Sequence, residues 1–265
     1  MITLILRLTT ILVLWLVGPV TPARAEAVNH QLLAEQLLGA DDSKRWQALE
    51  ATKAILADLH EALIIAIERE ARYRTERHAA SMRGEKWEGP TGAEYLARLT
   101  EVVIKLRDPR TIPSLVAVLG TGSSATPFAL AAFGEPAVPE LVKVVKASDN
   151  IFLVDQAMVA LRCLVEHAST QPLSSNAVDA ITNVAELRLE NPIRLASTGV
   201  ILGQAVDLAI ALDDARLRRI VELIASDPEA VRARGVTDSK RINRIQKNTQ
   251  DRLSGTEPRQ ICAKL

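Results

Sequence analysis

From residue 28 onward the apolar positions of this chain recur at intervals of three and four rather than two. Leu32, Leu33 and Leu37 are followed by Leu49, Thr52, Leu56, Leu59, Leu63 and Ile67, a spacing that places them on one face of successive helices. Gly39 predicts the end of the first helix, and Asp41-Asp42-Ser43 offers side-chain oxygens to cap the next. Trp46, Ala48 and Leu49 then begin a buried stripe. This second helical stretch is expected to run to about residue 80, with a bend near Asp58.

Beyond residue 93 the punctuation repeats. The run Asp108-Pro109-Arg110-Thr111-Ile112-Pro113-Ser114-Leu115-Val116 and the run Gly134-Glu135-Pro136-Ala137-Val138-Pro139-Glu140-Leu141-Val142 share one register, 26 residues apart. A weaker third copy, Asp213-Asp214-Ala215-Arg216-Leu217 through Ile220, Val221, Leu223 and Ile224, has lost the proline. An acidic or turn residue followed by a first-turn proline starts a short helix. Its Leu/Val stripe cannot be buried by one hairpin, so hairpins must stack. Further helices are expected over 95–106, 126–133, 149–166, 174–190 and 195–212, the last opened by Asn191 as cap and Pro192 in the first turn.

These residues resemble the HEAT-like repeats, in particular the short phycobilisome-lyase type. The likeness rests on Asp108-Pro109-Arg110 with Ile112-Pro113-Ser114-Leu115, and on Phe133-Gly134-Glu135-Pro136-Ala137-Val138-Pro139-Glu140-Leu141. It covers 93–166 well, and 28–70 and 174–231 more weakly. The resemblance implies an all-α fold, an α-solenoid of antiparallel helix pairs, used as a scaffold for binding other proteins. It implies no catalytic residues, and no bilin-lyase activity is carried over, because the repeats are shared with many unrelated scaffolds.

The N-terminus changes the picture of where the chain works. Residues 8–17 form a nearly unbroken apolar run preceded by Arg7 and followed by Gly18, Pro19 and Pro22, and Ala23-Arg24-Ala25 supplies small residues for signal cleavage. The reading is a signal peptide over 1–25, with Glu26 as the new N-terminus. An uncleaved anchor over 2–20 is the alternative, and it would hold Arg7 in or beside the hydrocarbon. Cleavage leaves 30 basic and 32 acidic residues, a charge of −2 that argues against a nucleic-acid partner. Three Phe, two Tyr and three Trp among 265 residues leave a core of Leu, Ile, Val and Ala, which suits packed helices. Membrane contact is expected only if 1–25 is retained.

Candidate chemistry is sparse. Gly120-Thr121-Gly122-Ser123-Ser124-Ala125 has the outline of a dinucleotide loop, but the segment before it belongs to a proline-started helix, so a turn between repeats is favoured and no cofactor is expected. His30, His60, His78 and His167 form no metal-binding pair, and Ile64 stands where a zinc-protease helix would need its second histidine. Neither G-x-S-x-G nor S-x-x-K occurs. No catalytic, cofactor or metal residue is therefore assigned.

The segment 68–90 interleaves six basic with five acidic residues and reads as a solvated helix end followed by a loop at 83–90. The segment holds Tyr73, Arg83, Lys86 and Trp87, with Tyr95 just beyond it, residue types that dominate protein contacts, and these five are the candidate partner-binding residues. The stretch 237–265 carries a net charge of +4 and reads as a helix and polar tail covering the last repeat. Whether Cys163 and Cys262 pair is left open, with a free buried thiol at Cys163 favoured because disulfide-stapled folds use far denser cysteine.

The expected organisation is a signal peptide at 1–25, helical pairs with a charged insertion at 26–92, HEAT-like repeats at 93–235 and a basic tail at 236–265. The expected function is a periplasmic or extracellular protein-interaction scaffold. A helical-repeat hydrolase or lyase with a dispersed carboxylate site is the alternative, and it requires two or more buried carboxylates facing one cavity.

Overall fold

A computed structural model describes residues 30–38, 41–54, 60–87, 93–120, 126–193, 198–255 and 262. The expected signal peptide, the expected bend near Asp58 and the Thr121–Ala125 part of the glycine loop lie outside the described residues. The protein is all-α, with no strand among the described residues. The helices are α1 His30–Leu38, α2 Asp42–Ala54, α3 His60–Met82, α4 Ala93–Leu106, α5 Ile112–Ala117, α6 Thr126–Ala132, α7 Val138–Ala147, α8 Ile151–Glu166, α9 Ser175–Glu190, α10 Thr198–Leu212, α11 Ala215–Ser226, α12 Pro228–Ala233 and α13 Ser239–Leu253.

The 26-residue register is reproduced in three dimensions. Each of the first two copies opens with a tight 3-10 turn, Pro109–Thr111 and Glu135–Ala137, and passes directly into α5 and α7 with a proline in the first turn. Thr111 and Ala137 have φ/ψ of −79/−14° and −82/−19°, and Ile112 and Val138 have −57/−48° and −56/−49°. Proline tolerates this geometry because its missing N–H falls among donors that a helix start leaves unpaired. The third copy lacks both proline and 3-10 turn, and Asp214 caps α11 directly by accepting from the N–H groups of Arg216 and Leu217.

Two expected helix starts shift and one is overturned. The helix expected from 149 begins at Ile151, capped by Asn150, and the helix expected from 174 begins at Ser175, capped by Ser174. Asn191 does not cap a following helix: its N–H donates to the Leu187 carbonyl, which makes it the C-cap of α9. Pro192 and Ile193 are buried non-helical residues, and the described part of α10 is Thr198–Leu212. An Asn-Pro pair is compatible with either helix end, and the neighbouring carbonyl decided between them.

Packing follows an alternating rule. α1, α3, α5, α7, α9 and α11 touch in sequence as one row, and α2, α4, α6, α8, α10 and α13 touch as a second. Chain neighbours such as α7 with α8 and α9 with α10 pack across the rows. A continuous apolar core runs between them from Leu37 to Cys262, dominated by Leu, Val, Ile and Ala. Burial at this density makes the fold depend on shape at close contacts. Gly120, at φ +75°, is one such contact, because a Cβ there would lie 2.9 Å from the Leu153 nitrogen and 3.1 Å from the Phe152 carbonyl carbon. Its role is a turn seated against the start of α8.

Candidate functional surface

The segment expected to be solvated is half built into the body. On α3, Glu70, Ala71 and Ala80 are buried while Glu68, Arg72, Glu76 and Arg77 are exposed, because α1, α4 and α5 cover one face. Tyr73 is partly exposed on this helix. Ser114 of α5 donates a hydrogen bond to Glu68 at 3.3 Å, so the charged segment is tied to the first repeat copy. Past Met82 the chain turns at Gly84, and Arg83 closes on Glu85 through Nε at 2.7 Å and Nη2 at 2.6 Å. That fork holds the Glu85 carboxyl below the usual carboxylate range and raises Arg83. Lys86 is exposed and Trp87 partly so, whereas Tyr95 lies on α4 with its side chain outside what is described. The five candidates thus divide between α3, the following turn and α4, and the Arg83 charge is largely spent within the turn.

A concavity lies where three alternate connections, α4–α5, α6–α7 and α8–α9, meet. A groove of about 360 Å³ is lined by Arg107 and Pro109 after α4, Phe133 and Pro136 after α6, and Gln171 and Pro172 between α8 and α9. Its walls are stiff by construction. Arg107 holds the left-handed region at φ 49°, and Gly134 sits at φ 72°, ψ −147°, a conformation open essentially only to glycine. Glu135 accepts from the Ser174 hydroxyl at 2.6 Å and the Ser174 N–H at 2.8 Å, which pins the turn after α6 to the cap of α9 and lowers the Glu135 carboxyl pKa. Prolines and a fixed backbone lower the entropy that a binding surface must lose on engagement. Tyr73, Arg83, Lys86 and Trp87 do not line this groove; the visible signal for it is the pair of repeated prolines, Pro109 and Pro136, which the sequence presents as helix starts.

The charged groups brought together inside the fold form a second cluster. Arg162 of α8 reaches Asp207 of α10 at 3.0 Å and Glu166 at 3.4 Å, and Asp207 also holds Arg252 of α13 at 3.0 Å. Two carboxylates and two guanidiniums therefore balance between three helices. Such an arrangement sets helix register, since each charge is costly without its counterpart. Among the described residues no group of three or more His, Cys, Asp or Glu stands where it could hold a metal ion. Elsewhere, Arg188 of α9 donates to the Val145 and Ser148 carbonyls at the end of α7, and Arg234 donates to the Leu189 carbonyl at the end of α9 at 2.5 Å. Burial pushes both guanidinium pKa values down, partly opposed by Asp149 and Glu190 respectively. Successive units are thus joined by arginines that complete the carbonyl ends of the preceding helix.

The favoured reading of Cys163 as a free thiol is wrong: Cys163 and Cys262 form a disulfide, with Cα atoms 5.3 Å apart across a sequence separation of 99. Both sulfurs are buried, and no described cysteine is free. Gly255, at φ +72°, follows α13. Two cysteines so far apart in a cysteine-poor chain carry no local sign of this proximity.

No helix among the described residues is long and apolar enough to cross a membrane. Comparison with protein-family models, with curated proteins and with solved structures gives no match.

Proposed function

We propose that the chain is an exported α-solenoid of antiparallel, HEAT-like helix pairs that serves as a protein-interaction scaffold in a periplasmic or extracellular setting. The observation that carries this reading is the alternating packing, in which the helices from α1 to α11 form two rows whose members touch their next-but-one neighbours along the chain. That pattern is what stacked helical hairpins produce, and stacking leaves a long turn-lined edge free for binding. The groove between Arg107, Phe133 and Gln171 is the preformed part of that edge. The buried disulfide and the leader-like residues 1–25 both favour an oxidising compartment. The half-buried carboxylates Glu166 and Asp207 are engaged by arginines, an arrangement suited to joining helices.

Site-specific photocrosslinking in envelope preparations tests the reading. Probes at 107 and 171 should each capture the same protein, and a probe at exposed position 247 on α13 should not. Equal capture from all three positions, or none from the groove, would remove the scaffold assignment. Replacing Lys86 and Trp87 separately reports whether the α3 turn contributes to the same partner.

A further inference from the structure

Resting on the scaffold reading, we infer that the groove between Arg107, Phe133 and Gln171 takes an extended, acidic segment of the partner chain, with a side-chain carboxylate on Arg107 and a neighbouring apolar side chain over Phe133 and Pro136. Charge selects this occupant. Two charged residues line the groove, Arg107 and Glu135, and among the described residues they form no ion pair with each other. Both Glu135 oxygens are engaged, Oε1 by the Ser174 hydroxyl and Oε2 by the Ser174 N–H. Its negative charge therefore lies against the N-terminus of α9, where the helix end offsets it.

The charges next to Arg107 in sequence are spent on each other. Asp108 accepts from the Arg110 N–H, and the Arg110 guanidinium closes back on Asp108 at 2.6 Å. Arg107 itself is exposed, and its backbone N–H donates to the Val103 and Ile104 carbonyls. Among the described residues its guanidinium has no acidic partner. The groove thus keeps one uncompensated cation at its edge, and a guanidinium presents a planar fork of donors that a carboxylate matches.

The rest of the lining fits extended chain. Pro109, Pro136 and Pro172 are exposed and carry no N–H, and Phe133 is half-exposed, so they offer apolar surface without backbone donors. Gln171 supplies a polar match. Its Oε1 lies 3.2 Å from the position a Cβ would take on Gly134, which lays the exposed carboxamide over the glycine turn. A carboxamide carries both a donor and an acceptor, the pair that one peptide unit of an extended segment requires. One turn of α-helix, about 10 Å across and 5.4 Å high, occupies about 420 Å³. That exceeds the groove's volume of about 360 Å³. Extended chain instead turns alternate side chains to one face, so a carboxylate and an apolar group two residues apart reach the same floor.

Panning a phage-displayed library of random linear peptides on the full chain tests the occupant, with synthetic peptides from the enriched pool titrated by fluorescence anisotropy. Enriched peptides are expected to carry Asp or Glu within two residues of a proline, aliphatic or aromatic residue. Arg107→Glu should weaken their binding by about tenfold or more, as loss of a charge-assisted bond requires. Gln171→Ala should weaken it by about threefold, within the span of one neutral hydrogen bond, while Lys247→Glu on α13 leaves it unchanged. Both groove variants replace exposed side chains, so their helical circular dichroism should match wild type. No enrichment over a bare surface, enrichment without acidic residues, or equal binding to wild type and Arg107→Glu overturns the inference. So does dimerisation of the full chain that Arg107→Glu abolishes, which would seat a second copy in the groove. The scaffold reading fails separately, when probes at 107 and 171 capture no common protein. Capture of a common protein together with failure of the peptides leaves the scaffold standing and removes the acidic segment.

Discussion

Replacing Gly120 by alanine separates a packing glycine from a phosphate-binding one. The perturbation adds one methyl group at a site with φ +75°, where a Cβ falls 2.9 Å from the Leu153 nitrogen and 3.2 Å from its Cα. The left-handed backbone alone costs an L-residue about 1–2 kcal/mol. The contacted atoms are backbone in the first turn of α8, which cannot swing aside as a side-chain tip would, and forced displacement in a packed core adds about 1–3 kcal/mol. A total near 3 kcal/mol corresponds to a fall of about 6–12 °C in the thermal midpoint for a domain of this size. Gly84→Ala is the matched control, since Gly84 has φ +72° with nothing within 4 Å of the added carbon, so only the backbone cost of about 1 kcal/mol applies. Thermal and urea denaturation followed by helical circular dichroism measure both. A Gly120→Ala cost no larger than that of Gly84→Ala would refute the argument that the turn is seated against α8.

Three other outcomes follow from the same contacts. Arg188→Met should lower stability by about 2 kcal/mol in urea unfolding, because charge-assisted bonds to the end of α7 are lost and the Val145 carbonyl loses its donor. Asp207→Asn should cost about 2–4 kcal/mol by leaving Arg162 and Arg252 without their shared anion, whereas exposed Asp213→Asn, which faces Arg218 at 3.6 Å, should cost under about 0.5 kcal/mol. For Glu135 the Ser174 bonds lower the folded pKa below its unfolded value, so their stabilisation is present above about pH 4.3 and is lost as pH falls through the folded pKa. The difference between wild type and Glu135→Gln in acid titrations of stability should shrink over that interval and stay flat near neutrality.

Much of the fold was readable locally. The three-and-four spacing of apolar residues and the 26-residue register with its prolines reappear in the structure, and Asp108 and Asp214, acidic residues at the start of the first and third copies, act as caps. They do so because helix starts and buried faces are set by residues within one or two turns of each other. The candidate surface was less readable. Arg83 looked available from its neighbourhood, yet Glu85 two residues on takes its charge, and the groove at Arg107, Phe133 and Gln171 exists only once three connections meet.

The sequence by itself determined where the chain becomes helical, which faces seek burial, and that the helices repeat. Tertiary structure alone decided the links that cross between units: Cys163 with Cys262, Arg162 with Asp207 and Arg252, and Arg188 with the end of α7. It also decided that Asn191 closes α9 instead of opening α10. The physical reason is range. Periodicity and capping are written in neighbouring residues, whereas a disulfide or a shared carboxylate depends on distances that only the packing of several helices sets.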